Sequence, residues 1–331
     1  MKLVTFIPES SSTQRVGVVV DDRIIDLKAA SEAQDDVPEN AYNDMLSLIC
    51  CMPRVLDQIR ILIDRVLSSG PESVICQISK VQLLAPLPRP TSIRDFMAFP
   101  DHQANAMHTV AGWMFPPIKW LNGAWRSITG KGFLSPPKLW YEIPSYYKGN
   151  PLTVVGPEAD IRWPSYEDKL DFELEFGIYI SQEGRDIPKG RAREYIAGYT
   201  IFNDLSARKV QMKEMRLRLG PTKGKDFDTS NVMGPYLVTP DEIADPYKMG
   251  MTARVNGEEW SRGNSCQMYY TLEDIITYVS RDETLYPGEF FGSGTVPTGC
   301  GLELDRWIKP GDVIELEIEG LGVLRNRIVK V

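Results

Sequence analysis

Histidine is nearly absent from this chain: its 331 residues include only two, His102 and His108. The five cysteines include an adjacent pair, Cys50-Cys51, but show no paired-ligand spacing. These shortages leave little material for a Cys/His zinc site and predict free thiols in a reducing compartment. No apolar run is long enough to span a bilayer, and the opening MKLVTFIPESSSTQ lacks the apolar core of a secretory signal. There is no basic excess either. With 37 Lys and Arg against 45 Asp and Glu, the net charge is −8, which argues against nucleic acid as a partner. Internal repeats and low-complexity tails are also missing. The expectation is a soluble cytoplasmic protein with neither a membrane nor a nucleic-acid partner.

What is present is apolar patterning. A chain with 43% hydrophobic residues can bury a sizeable core, as one large domain or two. The first 30 residues read as short strands, KLVTF, RVGVVV and RIIDL, around an Asp21-Asp22 turn. In PRVLDQIRILIDRVLSSG, the residues Val55, Leu56, Ile59, Leu62, Ile63, Val66 and Leu67 recur at helical spacing between Pro53 and Gly70. QLLAPLPRPTS, with Pro86, Pro88 and Pro90, reads as an extended connector and sets a predicted boundary between 1–90 and 91–331. Residues 102–150 are rich in aromatics, Gly and Pro without clear periodicity, which predicts a covering segment with short helices. Its Trp113, Met114, Trp120 and Trp125 read as core or lid packing. From about residue 151 the chain turns strand-rich, with a hairpin turn at Asn256-Gly257 and a short helix over Leu272–Val279. The expected fold class is mostly β with some α (α+β).

Three acidic spots stand out. DFELEFGIYI, 171–180, alternates Asp171, Glu173 and Glu175 with Phe172, Leu174 and Phe176, as a half-buried strand with one acidic face would. GYTIFNDLSARKVQ, 198–211, brings Asp204 to the end of an apolar strand, followed by a turn of helix carrying Arg208 and Gln211 on one face. SIRDFMAFPDHQANAMH places Asp95 just past the proline connector, with His102 seven residues on. Taken singly, each has an ordinary explanation: a wet strand face, a helix N-cap at Asp204, a structural histidine. Together they suit a hard divalent cation, because Glu-x-Glu on one strand face offers two carboxylates about 7 Å apart. Without a cation, such groups could not all stay ionised cheaply when clustered.

DFELEF, GYTIFNDLSARKVQ, KGKDFDTSNVMGPYLVT, RVNGEEWSRGN, GEFFGSGTVPTG and IKPGDVIELEIEGLGVLRNRI occur in this order and spacing. In this the chain resembles the fumarylacetoacetate hydrolase superfamily across roughly residues 91–331. The resemblance implies a β-roll catalytic domain over 91–331, a smaller strand-and-helix N-terminal domain over 1–90, and a homodimer. It implies Asp95, Glu173, Glu175 and Asp204 as ligands of a divalent cation, Mg²⁺ first, with Mn²⁺ or Ca²⁺ as alternatives. It also implies His102 as the water-activating base and Glu303, in GCGLEL, as its orienting carboxylate. Lys225, Arg208, Gln211 and Thr295 match groups that hold the substrate or its developing oxyanion, and Tyr147 matches a substrate-contacting tyrosine. Asp171 is left over and is expected outside the cation's ligands, making a structural contact or meeting water. His108 is expected to be structural.

Two positions depart from the pattern. Many shorter members, including acylpyruvases and oxaloacetate decarboxylases, place a glutamate three residues after the histidine. Here that residue is Asn105, which favours the longer hydrolase-like arrangement. Met97 stands where the hydrolase has a tyrosine. The activity implied is metal-dependent hydrolysis of a carbon–carbon bond in a 1,3-dicarbonyl acid, fumarylacetoacetate-like or acylpyruvate-like, with His102 activating water and the metal stabilising the enolate. Decarboxylation, hydration, dehydration or isomerisation of a 2-oxo acid on the same cage stays open, as does a non-catalytic metal-binding accessory protein.

Overall fold

The structure, a computed structural model, describes residues 1–9, 11–33, 40–130 and 132–330. The N-terminal pattern folds as β1 (Lys2–Pro8), β2 (Arg15–Val20) and β3 (Arg23–Asp26), with Asp21 left-handed at φ 54° in the turn. Three helices follow: α1 (Leu27–Glu32), α2 (Met45–Cys50) and α3 (Arg54–Ser69). On α3 Val55, Leu56, Ile59, Leu62 and Val66 of the predicted stripe are buried, whereas Ile63 is half-buried and Leu67 is exposed, and the Gly70 N–H closes the helix on the Val66 carbonyl. Strands β4 (Ile75–Gln77) and β5 (Val81–Leu83) precede the proline connector, and β6 (Ser92–Phe96) follows it.

Residues 100–129 differ from expectation. They form two long helices, α4 (Pro100–Met114) and α5 (Pro116–Thr129), each opened by a proline in its first turn. Neither buries an apolar stripe. Their buried residues are polar, Thr109 and Asn122, and Asn122 Nδ2 pairs with His108 Nδ1 at 2.8 Å across the hairpin. With polar groups on the packed side, the usual apolar periodicity was absent. For the same reason Met114, Trp120 and Trp125, expected as packing, are more than half exposed. Trp113 instead sandwiches Lys169 with Trp307, the ammonium 4.2 and 4.3 Å from the two rings.

Downstream come β7 (Tyr146–Gly149), β8 (Val154–Val155), β9 (Asp160–Arg162), β10 (Leu170–Asp171), β11 (Leu174–Ile180) and β12 (Ile196–Asp204). β13 (Ser206–Ala207) leads into α6 (Arg208–Met215), then β14 (Asn231–Val238). The predicted hairpin is β15 (Gly250–Val255) with β16 (Glu258–Asn264), Asn256 and Gly257 both at positive φ. The predicted helix is α7 (Leu272–Val279), started by a Thr271/Asp274 capping box. β17 (Glu289–Gly292), α8 (Gly301–Leu304), β18 (Val313–Ile318) and β19 (Gly322–Val329) complete the chain.

The large sheet runs β4-β3-β2-β1-β14-β12-β11-β17-β6-β7, so strands of the first 90 residues hydrogen-bond to those after the connector through β1 and β14. A five-stranded sheet, β16-β15-β18-β19-β9, covers one side. Phe176, Ile178 and Ile180 of β11 pack toward it with Ala253, Leu316 and Ile318. The other side is covered by α1–α3, against which Tyr179, Phe202 and Phe290 pack. Each such burial contributes about 1.5–3 kcal/mol, so the central strands form a rigid base. DFELEFGIYI lies in this centre and departs from a strand with a wet face. It splits into β10 and β11 around Phe172-Glu173, and residues 171–180 are buried throughout. Among the described residues, no helix is long and apolar enough to cross a membrane.

Candidate active site

Strand order brings the acidic spots together. β6, β17, β11 and β12 lie close together in the large sheet, so Asp95, Glu175 and Asp204 converge although they are far apart in sequence. Each offers a carboxylate oxygen, and these oxygens all lie within 4.8 Å of one another. Gly292 of β17 sits opposite Asp95 in register, and a Cβ there would stand 2.3 Å from Asp95 Oδ1. The close approach therefore requires glycine.

Burial and then the Asp204 charge push Asp95 well above the usual carboxylate range. Burial and then Asp95 do the same to Glu175. Asp204 is raised to about 6, burial outweighing the nearby Lys225. Asp95 Oδ1 and Asp204 Oδ1 are buried without a hydrogen-bond partner among the described residues. An all-oxygen donor set of this kind, with buried acceptors not otherwise satisfied, fits Mg²⁺, Mn²⁺ or Ca²⁺. Glu175 is steadied by Thr295 Oγ1 at 3.0 Å and the Gly294 N–H at 3.1 Å.

Glu173 lies beside this cluster but turns to cations. Its Oε1 accepts from Arg208 Nη2 at 2.7 Å and its Oε2 from Lys225 Nζ at 2.5 Å. Burial opposes its charge, yet Lys225 and Arg208 hold its carboxyl below the usual range. Lys225 also donates to Asp204 Oδ2 and, at 3.2 Å, to the Asp204 carbonyl, so three oxygens share its ammonium. Asp204 Oδ2 accepts from Tyr147 O–H as well, at 2.7 Å. Asp204 ends β12, and Ala207 rather than Asp204 caps α6. Asp171 is wholly buried. It accepts from Arg208 Nε at 2.8 Å and from the Gly301 and Leu302 N–H groups at 2.7 and 2.9 Å. Arg208 Nη1 reaches Gln211 Oε1 at 3.0 Å, one turn along α6.

His102, on the first turn of α4, has Nδ1 2.7 Å from Glu303 Oε1 on α8. The other Glu303 oxygen accepts from Asn105 Nδ2 and the Thr298 N–H, both at 2.9 Å. An acceptor-only carboxylate on Nδ1 makes Nδ1 the proton donor and leaves Nε2 as the base. Sequence reasoning did not assign Asn105 this role. Its signal was the three-residue spacing from His102, which puts both on one helix face. Asp171 makes the structural contact expected of it, with Arg208 as the partner, whereas Asn203, whose Oδ1 accepts from the Glu173 N–H at 3.0 Å, was missed. Asp95, Glu173, Glu175, His102, Arg208, Gln211, Lys225, Tyr147 and Thr295 all line one cavity of about 970 Å³.

Fold and site define an α+β protein whose buried acidic centre, flanked by a histidine–carboxylate pair, opens into a large cavity. The family described as fumarylacetoacetate (FAA) hydrolase C-terminal matches residues 126–329, and the chain belongs to that family. Oxaloacetate tautomerase Fahd2a, mitochondrial, of Rattus norvegicus is 40% identical over 179 residues, 54% of this chain and 56% of that protein. The match thus spans little more than half of that relative's length. Among solved structures, fumarylacetoacetate hydrolase from Exiguobacterium antarcticum superposes with a TM-score of 0.72 at 24% identity, covering 100% of both chains. Maleylpyruvate hydrolase from Sphingobium sp. SYK-6, in complex with manganese(II) ion and pyruvate, gives 0.71 at 21%, covering 100% of this chain and 99% of that one.

Proposed function

We propose that the protein is a divalent-metal-dependent enzyme that hydrolyses a carbon–carbon bond in a 1,3-dicarbonyl acid of the acylpyruvate type. The observation that carries this reading is the His102–Glu303 pair, 2.7 Å apart, with His102 lining the same cavity as the carboxylate cluster. Asp95, Glu175 and Asp204 would hold the cation, Mg²⁺ in first place, while Glu173, expected from the sequence as a fourth ligand, stays paired with Arg208 and Lys225. Bound there, the cation would supply Lewis acidity and a template for adjacent substrate oxygens.

The chain's own residues account for the proton steps. His102 Nε2 takes a proton from water, and Glu303, fixed by Asn105 and the Thr298 N–H, stabilises the resulting imidazolium. Hydroxide adds to the carbonyl carbon and the adjacent carbon–carbon bond breaks, the leaving fragment departing as an enolate that recovers a proton from His102. Lys225 neutralises Glu173 and Asp204, and its three contacts leave Gln211 as the better oxyanion donor. Arg208 can only donate, so the Gln211 oxygen faces Arg208 and its amide N–H₂ is left for the oxyanion. Such a donor contributes on the order of 3 kcal/mol to the barrier. Tyr147 and Thr295 would position substrate and Glu175.

A panel of acylpyruvates, β-diketones and oxaloacetate, assayed with Mg²⁺ or with EDTA, tests the reading. Turnover that survives EDTA would sink it. A homodimer is part of the same reading, checked by sedimentation equilibrium at twice the chain mass.

A second reading is favoured by the 40% identity to a protein named as an oxaloacetate tautomerase. Keto–enol interconversion uses the same cage and a proton shuttle but no attacking water. Decay of the enol absorbance without new products would select it.

A further inference from the structure

Two helices lead away from the acidic centre, and each changes character along the face that lines the cavity. On α4 that face begins with His102 and continues as Ala106, Val110 and Met114, at four-residue intervals. On α6 it begins with Arg208 and Gln211 and continues as Met212 and Met215, with Leu219 just beyond. The helical rise carries the α4 row roughly 6–18 Å from His102 and the α6 row roughly 6–10 Å from Arg208. The charged groups thus cluster at the floor, and an apolar passage leads outward. The aromatic residues Trp113, Trp120 and Trp125 of the same segment are not part of this lining.

Two further cations lie in the lining, Lys148 and Arg216, and both are exposed, where water screens contact with a ligand charge. No carboxylate lies among the methionine and aliphatic residues, and Arg216, which follows Met215 in the lining, is exposed, while on α4 Ala106, Val110 and Met114 carry no charge. Met114 and Met215 are 71% and 53% exposed, so an apolar ligand would bury surface that now faces water. Methionine, unbranched and polarizable, adapts its shape to a flexible chain.

We propose that the substrate carries an extended, uncharged hydrocarbon tail, which lies between α4 and α6 while its oxo-acid head sits at the acidic centre. The substrate class is then a long-chain acylpyruvate rather than a short acid or a diacid. This rests on the proposed reading of the centre as a metal-assisted oxo-acid site.

The test is calorimetric binding of pyruvate, 2-oxohexanoate and 2-oxodecanoate to the full chain in the presence of Mn²⁺, with the ω-dicarboxylic analogue of the longest acid as a control. The expected result is a dissociation constant falling about three- to fourfold for each methylene buried. The diacid should bind more weakly than the monoacid. Met215→Asp should weaken 2-oxodecanoate binding more than pyruvate binding and so flatten the length dependence, and Met215→Leu should keep it. Equal affinity along the series, or preference for the diacid, would overturn the tail proposal while leaving the head-group site standing. Failure of every acid to bind, with or without Mn²⁺, would overturn both.

Discussion

Glu303 is 201 residues from His102 in the chain, yet its Oε1 lies 2.7 Å from His102 Nδ1 while its other oxygen is held by Asn105 and the Thr298 N–H. The carboxylate cannot rotate away without breaking two further hydrogen bonds. The imidazole is therefore held in one tautomer and one orientation before substrate arrives. Glu303→Gln is expected to lower kcat by about 100-fold, the usual scale of general-base catalysis, with KM changed much less. Steady-state kinetics on the best acylpyruvate would measure it. A variant with undiminished kcat would remove His102 from the proton step.

The carboxylate cluster ties metal affinity to pH. In the metal-free chain burial, the main cause, raises Asp204 to about 6, against an ordinary value of about 3.9. Between those values the folded chain keeps a proton that the unfolded chain releases. The stability from this group is therefore present below about pH 4 and is lost as pH rises through about 6. A cation must displace that proton, so the rise in melting temperature caused by Mn²⁺ should be larger near neutral pH than near pH 5. Differential scanning fluorimetry at the two pH values checks the sign, and equal shifts would contradict a carboxylate cage.

Gly292 permits the approach of Asp95 to Glu175 and Asp204. In Gly292→Ala the new Cβ would meet Asp95 Oδ1 at 2.3 Å, so the carboxylate must move. Overpacking of this kind costs about 1–3 kcal/mol, and the displaced ligand should weaken Mn²⁺ binding at least tenfold, an order-of-magnitude expectation. Titration calorimetry alongside urea denaturation separates the two effects. Unchanged affinity would mean that Asp95 does not bind the cation.

Asp171 is bonded to Arg208 and lies outside the cluster of Asp95, Glu175 and Asp204. Its buried carboxylate takes donors from Arg208 Nε and from the Gly301 and Leu302 N–H groups. Asp171→Asn removes one of the two carboxylates on Arg208, Glu173 remaining at 2.7 Å, and should cost about 1–3 kcal/mol in urea denaturation. Mn²⁺ affinity, by contrast, should fall far less than in Gly292→Ala. The reverse pattern would make Asp171 a ligand.

Much of this protein was determined by the sequence alone. The stripe of α3, the Asn256-Gly257 hairpin, the capped α7 and the order of six motifs rest on short-range patterns, and those patterns are written in consecutive residues. The identity of the acidic residues and of His102 was legible for the same reason. Tertiary structure decided the rest. Strand pleating shows that Asp171, Glu173 and Glu175 alternate with apolar residues, but not what faces each of them. Strand order gives Glu175 to Asp95 and Asp204, while Arg208 and Lys225 claim Glu173, and α8 with Arg208 claims Asp171. The helices α4 and α5 were hidden because they pack through Thr109 and Asn122 and leave apolar residues exposed. Pairing across a sheet and polar packing between helices depend on partners distant in the chain, and local periodicity carries no record of them.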